Sequence, residues 1–179
     1  MTEILGISGS LRAASTNTAL LRALARVAAP PVQVTVWNGL GELPAFSPDL
    51  EGDATPEPVL RFAERIDAAD GLIVACPEYV HALPGAFKNV VDWMVSRPEI
   101  IAKPIAILHA WHRGDDVLGQ LRLVLGTVSG RFMPDVFATV PLISKTVPEV
   151  DAICATPDVE NRLSGFLNRF VEEIVRKDQ

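Results

Sequence analysis

Residues 4–18 read ILGISGSLRAASTNT, an apolar run that passes directly into a loop of small polar residues. The apolar part, residues 4–8, has the composition of a buried strand. Leucine and valine then recur at helical spacing, which predicts a helix over about residues 16–28. The loop at residues 9–18 therefore joins the end of a strand to the start of a helix. Unpaired amides and the helix dipole make that position suited to binding an anion such as a phosphate.

Short apolar strands and longer amphipathic helices continue to alternate along the rest of the chain. Five strands that alternate with helices favour parallel pairing through right-handed crossovers, and so predict a three-layer α/β structure. We expect a single domain over residues 1–179, with its ligand at the carboxyl ends of the strands. Further strands are predicted at residues 32–37, 71–75, 104–108 and 136–140, and further helices around residues 59–66, 84–95 and 115–130 and after residue 156.

The composition is that of a globular protein with an acidic surface. Apolar residues make up 49% and charged residues 21%, and the net charge is −6, which disfavours nucleic acid and anionic membranes as partners. The first residues lack the pattern of a signal peptide, and no apolar run reaches the ~18 residues of a membrane span, so we expect a cytoplasmic protein. Cys76 and Cys154 are predicted to be buried free thiols.

The polar side chains of the first loop strengthen the prediction of a phosphate site. Arg12 offers a planar donor fork, and several hydroxyl and amide groups surround it. Neither the glycine spacing of a dinucleotide-binding loop nor the lysine of a P-loop is present. An alternative stays open, in which Ser15 or Asn17 only caps the helix and Arg12 faces solvent.

A second loop follows the third predicted strand, and residues 76–93 read CPEYVHALPGAFKNVVDW. Together with the first loop, this stretch resembles the NAD(P)H-dependent FMN reductase family of flavodoxin-like proteins, over about residues 4–93. The resemblance implies a flavodoxin-like, five-stranded parallel sheet of order 2-1-3-4-5 with helices on both faces. It also implies FMN as cofactor and NADPH or NADH as electron donor.

The resemblance assigns the FMN phosphate to the first loop and the flavin ring to the second. The prolines at positions 77 and 84 would stiffen the second loop and hold its amides in place for the ring. Since hydride transfer to flavin N5 needs no side-chain acid, we predict no catalytic side chain and a structural role for Glu78. The predicted cofactor-binding residues are Ser10, Arg12, Ser15, Thr16, Asn17, Thr18, Pro77, Glu78, Tyr79, Val80 and His81.

The chain departs from the family pattern in two places. Val80 stands where the family usually has asparagine. Residues 109–115 read HAWHRGD, where many relatives have a glycine-rich loop, so Trp111 could stack on the flavin or narrow the nicotinamide site. His109 and His112 lie three residues apart in this predicted loop without a convincing third ligand, and we expect no metal site.

These observations favour an oxidoreductase that passes hydride from NAD(P)H through FMN to a small-molecule acceptor. The acceptor could be a flavin, a quinone, an azo dye or a metal oxyanion. One alternative is an FMN-binding electron carrier or regulatory module without NAD(P)H turnover, and another is a domain that holds a different phosphate. The resemblance further implies a homodimer or homotetramer. The choice between NADH and NADPH stays open, because no ribose-binding residue can be assigned from the sequence.

Overall fold

The computed structural model describes residues 1–111, 115–142 and 144–176. Its regular elements, in chain order, are β1 (Thr2–Ser8), α1 (Thr16–Val27), β2 (Val32–Trp37), α2 (Glu57–Ala68), β3 (Gly71–Ala75), α3 (Gly85–Met94), α4 (Pro98–Ile101), β4 (Ile105–Trp111), α5 (Asp115–Val128), β5 (Phe132–Pro141), α6 (Val147–Cys154) and α7 (Pro157–Arg176). Between β2 and α2 the chain makes three short 3₁₀ turns, at Gly39–Glu42, Pro48–Leu50 and Gly52–Ala54.

The five strands form one parallel sheet of order β2-β1-β3-β4-β5, which confirms the predicted flavodoxin-like architecture. In the middle of this order Ile7 of β1 pairs with Trp37 of β2 on one side and with Val74 of β3 on the other. The strand order therefore reverses between β1 and β3, where adjacent crossovers run to opposite sides of the sheet. Such a reversal opens a crevice at the carboxyl ends of the strands.

Two hydrophobic cores lie on the two faces of the sheet. Because successive side chains of a strand point to opposite faces, Ile4 packs into one core and Leu5 into the other. The Ile4 side is covered by α1, α6 and α7, and the Leu5 side by α2, α3, α4 and α5. The helices predicted from spacing bury the expected positions, such as Phe62 in α2 and Phe170 in α7.

β4 and β5 are longer than predicted, and this corrects the assignment of a loop to residues 109–115. His109 pairs with Thr139 and Ala110 with Val140, so β4 continues to Trp111. A histidine interrupts the apolar run there, which is why the pattern gave an early end to the strand. Asp115 already begins α5, and residues 112–114 lie outside the described part of the chain.

Two helices were not predicted from the sequence. α4 is a single turn, too short for a periodic pattern. α6 starts with a capping box, in which the Thr146 backbone N–H and hydroxyl both donate to the Glu149 carboxylate at 2.8 Å. The spacing T-x-x-E at positions 146–149 is a signal that could have revealed α6. Among the described residues, no helix combines the length and apolar character needed to cross a bilayer.

Candidate functional site

The first loop ends in a capped helix N-terminus at the crevice. Ser15 is the N-cap of α1, and its hydroxyl accepts a hydrogen bond from the Thr18 amide at 3.2 Å. The Thr18 hydroxyl is held in turn by the hydroxyl of Ser8, at 2.8 Å. The amides of Thr16 and Asn17 open the first turn, where helical N–H groups have no intrahelical acceptor. Capping and anion binding are thus compatible, since the cap uses one amide of the turn and leaves others for a ligand.

Gly9 brings the first loop into contact with the second. Its amide donates to the carbonyl of Ala75 at 2.8 Å, directly before the second loop begins. A Cβ at position 9 would lie 2.3 Å from Sγ of Cys76. Only glycine therefore allows this approach, because any side chain would force the two loops apart.

The second loop turns back on itself through a two-residue turn at Val80 and His81. The Tyr79 amide donates to the Ala82 carbonyl at 3.0 Å, and the Ala82 amide donates to the Tyr79 carbonyl at 3.1 Å. Val80 and His81 have positive φ angles of 54° and 59°. This is the backbone of a type I′ turn, which favours asparagine and glycine and is unfavourable for a β-branched residue.

Side chains clamp this turn to the start of α5. The Glu78 carboxylate accepts a hydrogen bond from the Val117 amide in the first turn of α5, at 3.1 Å. The Gln120 side chain donates to the His81 carbonyl at 2.9 Å and accepts from the Leu83 amide at 3.1 Å. Glu78 is therefore a cap for a neighbouring helix, which agrees with the structural role predicted for it.

His81 takes part in the same clamp. Its Nδ1 lies 2.7 Å from Oδ2 of Asp116 and 3.9 Å from Oε1 of Glu78. Ligand atoms of these three residues lie within 4.8 Å of one another, but the carboxylates already accept hydrogen bonds from His81 and the Val117 amide. We therefore interpret these three side chains as a contact between the turn and α5. His112, which the sequence analysis considered together with His109 as a possible metal ligand, lies outside the described residues.

The two loops border an open cleft, here called the central cleft, at the point where the strand order reverses. Eight of the eleven predicted residues line it: Ser10, Arg12, Ser15, Thr16, Asn17, Pro77, Glu78 and Tyr79. The structure does not bring the other three into this lining. Thr18 is bonded to Ser8, Val80 lies at the exposed tip of the turn, and His81 faces Asp116.

Five further lining residues were not among the predicted binding residues: Ala14, Cys76, His109, Ala110 and Leu142. His109 is the most informative of these, since it is only 4% exposed and its ring lies 6.3 Å from that of Phe137. Its position at the carboxyl end of a strand was a usable signal, because ligands in this architecture bind at that edge. The Trp111 side chain, for which stacking on the flavin and narrowing of the nicotinamide site were both open, lies outside what the structure describes.

The donor set of the central cleft fits a phosphate. The Asn17 side chain is 5% exposed, and its Oδ1 has no hydrogen-bond partner within the described ranges. Nδ2 of the same amide is less buried than Oδ1 and makes no hydrogen bond with the described residues, so this donor is the one open to an anion in the cleft. The guanidinium of Arg12 is exposed and has no ion pair with any described residue. Burial raises the pKa of the Cys76 thiol, so no thiolate charge competes with a bound anion.

Comparison with known proteins agrees with this geometry. The family described as NADPH-dependent FMN reductase matches residues 2–144. A Pseudomonas aeruginosa protein named NAD(P)H-dependent FMN reductase is 39% identical over 110 residues, covering 60% of this chain and 59% of that protein. An Escherichia coli quinone reductase is 31% identical over 108 residues, covering 59% and 57%. The matches thus span under two thirds of these relatives.

A solved structure supports the fold over nearly the whole chain. The flavoenzyme NAD(P)H:(acceptor) oxidoreductase FerB of Paracoccus denitrificans superposes with a TM-score of 0.75 at 24% identity, over 98% of each chain. This likeness concerns the fold, whereas the family match rests on sequence across 2–144, including both loops of the central cleft. On the sheet order, the paired loops and this match, the chain belongs to the NADPH-dependent FMN reductase family.

Proposed function

We propose that this chain binds FMN in the central cleft and acts as an NAD(P)H-dependent oxidoreductase toward a small-molecule acceptor such as a quinone. The observation that carries the proposal is the capped start of α1, which lines the central cleft together with the guanidinium of Arg12, unpaired among the described residues. A helix N-terminus and an arginine side chain together supply N–H donors and positive charge for a phosphate. Family membership identifies FMN as the ligand to test first.

The phosphate end of FMN would be held by the first loop. The amides of Thr16 and Asn17, the hydroxyl of Ser10 and the guanidinium of Arg12 would supply its donors. A positive helix end and a guanidinium together offset the charge of a phosphate monoester. This local arrangement allows an acidic protein to bind a dianion.

The ring end of FMN would lie against residues 77–79. Hydrogen bonds to α5 hold this loop, because Glu78 is bonded to the Val117 amide and the turn to Gln120. A loop fixed before binding loses little entropy when the ring enters. Leu142 and the buried His109 border the same cleft and would limit access of water to the ring.

Bound FMN would supply the redox chemistry between a reduced nicotinamide and the acceptor, and residues 77–79 would hold its ring. The role of the chain is to position the ring and to stabilise the negative charge that reduction places on it. The backbone amide of Glu78 is the group suited to that task, because Pro77 has no N–H and the Tyr79 amide already donates to the Ala82 carbonyl. Glu78 already accepts a hydrogen bond from Val117, so no side-chain acid is assigned to the hydride step.

Titration with FMN tests the binding half of this proposal. Arg12→Ala is expected to weaken FMN binding by about 1.5–3 kcal/mol, because it removes a charge-assisted bond to the phosphate. The matched control is Arg26→Ala on α1, whose guanidinium pairs with Asp151 instead of lining the cleft. Equal FMN affinity in both variants, measured by quenching of flavin fluorescence, would remove Arg12 from the site.

Anaerobic reduction tests the catalytic half. The yellow FMN complex is expected to bleach on addition of NADPH or NADH, and a quinone should then restore the colour. Steady oxidation of NADPH with a quinone separates a reductase from an electron carrier, which would show negligible turnover alone. A complex that neither donor bleaches would end the enzyme proposal and leave an FMN-binding module.

We further propose that residues 1–179 form a single cytoplasmic domain that assembles as a homodimer or homotetramer. Support for a reducing compartment is the free, buried state of Cys76 and Cys154. Native mass spectrometry of the FMN complex checks the assembly, and a monomer at micromolar concentration would contradict it.

A further inference from the structure

A second open cleft, here called the side cleft, lies beside the central one. Arg22 and Thr18 of α1 form one side of it, and Trp37 and Asn38, at the end of β2, form the other. Arg12 lines both clefts, so the first loop is a wall that they share. A molecule bound in the side cleft would therefore be close to anything held in the central cleft.

The helix directs Arg22 and Thr18 to the same side. They are four residues apart, which places them on one face of α1. Thr18 is fixed by its bond to Ser8, so this stretch of the wall is rigid. The acidic residue of the side cleft, Glu42, is 3.5 Å from the guanidinium of Arg61, which partly offsets its charge.

Arg12 and Arg22 differ from the other described arginines and lysines in having no side-chain partner. Over residues 1–111, 115–142 and 144–176, they are the two arginine or lysine side chains with no ion pair, hydrogen bond or ring contact. Both line the side cleft. The other described arginines and lysines contact carboxylates, carbonyls, a hydroxyl or an aromatic ring.

Since the proposed function assigns Arg12 to the FMN phosphate, Arg22 is the unpartnered guanidinium that the side cleft offers to a second anion. Guanidinium matches phosphate oxygens through paired donors. The chain carries a net charge of −6, so a polyanion approaching it is repelled except where positive charge is concentrated. The side cleft provides such a place, next to the predicted flavin site.

We propose that the side cleft binds the 2′-phosphate of NADPH and that Arg22 is the residue that favours this donor over NADH. The proposal rests on the proposed function, since the donor must deliver hydride to a ring in the central cleft. NADPH differs from NADH by one phosphate monoester, and that group needs a cation that FMN does not already occupy. Arg22 meets this requirement because it lines the side cleft and not the central cleft.

The test compares Arg22→Ala with the matched control Arg26→Ala, one turn further along α1 and paired with Asp151. Binding of 2′,5′-ADP to the FMN complex, measured by calorimetry, is expected to weaken on the order of 10-fold in Arg22→Ala and to change little in Arg26→Ala. The ratio of kcat/KM for NADPH to that for NADH should fall by a similar factor. Arg22→Lys, which keeps the charge, should recover part of both losses.

The outcomes separate this inference from the proposed function. If neither donor reduces FMN, the proposed function fails, and 2′,5′-ADP binding still decides the role of Arg22. If Arg22→Ala and Arg26→Ala bind 2′,5′-ADP equally, the inference is overturned. It is also overturned if Arg22→Ala loses as much affinity for FMN as for 2′,5′-ADP, because Arg22 would then belong to the FMN phosphate site.

Discussion

At the scale of single residues, the second loop contains a conflict between side chain and backbone. Val80 has a positive φ of 54° and is 94% exposed, so its side chain gains almost nothing from packing. Its methyl groups clash with the backbone in this region, at a cost of about 1–2 kcal/mol. The departure from the family's usual asparagine is therefore a local destabilisation of the loop.

Val80→Asn is expected to stabilise the protein by about 1 kcal/mol, because asparagine tolerates the left-handed region and the turn loses no buried contact. Denaturant unfolding should give a higher midpoint at an unchanged slope. Val95→Asn is the control, since Val95 is also exposed but has a φ of −59°. An equal response of the two variants would show that the turn is not strained.

At the scale of elements, stability of the site depends on contacts that join one element to another. Glu78 belongs to the loop after β3, yet its carboxylate satisfies an amide in the first turn of α5. Its side chain is only 11% exposed, so water cannot readily replace it. The second loop and α5 should therefore lose stability together when Glu78 is truncated.

We predict that Glu78→Ala lowers the free energy of unfolding by about 1–2 kcal/mol, because the Val117 amide loses its acceptor. Glu78→Gln should lose clearly less, since its amide oxygen can still accept that bond. Glu64→Ala, an exposed site on α2, is the reference in chemical denaturation. Matching losses for alanine and glutamine at position 78 would argue against a capping role.

The cap of α6 predicts that the stability of the protein depends on pH in the acid range. Hydrogen bonds from the Thr146 backbone and hydroxyl, followed by Lys145, lower the pKa of Glu149 from 4.5 to about 2. Because the folded-state pKa is depressed, this carboxylate stabilises the fold above pH 4.5, and its contribution disappears as the pH falls toward 2.

Glu149→Gln should therefore show a smaller loss of stability between pH 4.5 and 2 than the natural chain. Circular dichroism during acid titration measures this loss. Glu64→Gln removes an exposed carboxylate without such contacts among the described residues and should retain the natural dependence. Parallel titration curves for all three proteins would contradict the assignment.

At the scale of the whole molecule, the two cysteines lie in the cores on opposite faces of the sheet. Cys154 lies in the core shared by α1, α6 and α7, and Cys76 in the core on the other face. Both are 2% exposed, and burial raises the pKa of both thiols. Alkylation of either one thus requires opening of the core around it.

We expect both thiols to react slowly with iodoacetamide in the native protein and to become reactive over the same range of denaturant. The reason is that one sheet joins the two cores, so a cooperative transition exposes both. Mass spectrometry after pulsed labelling gives the two rates separately. Labelling of Cys76 well before Cys154 would reveal local opening at the central cleft.

The sequence alone was sufficient for the order of the main elements, because strand and helix periodicity is local. Residues such as Phe62 and Phe170 are buried as their spacing predicted. The first loop was also recognisable, since its polar residues directly follow an apolar strand. The predicted β4 was too short because the buried His109 interrupts the apolar pattern of the strand. Its pairing with Thr139 involves a distant segment, which no local pattern reveals.

What only the tertiary structure decided was which side chains face the same space. Position 22 is an ordinary polar site in a helix pattern, and its place beside Arg12 follows from the packing of α1 against β1 and β2. His81 has the right sequence position for the flavin, yet it contacts Asp116, 35 residues away. Periodicity encodes which face of an element is apolar, whereas the grouping of polar side chains depends on long-range contacts that no local pattern contains.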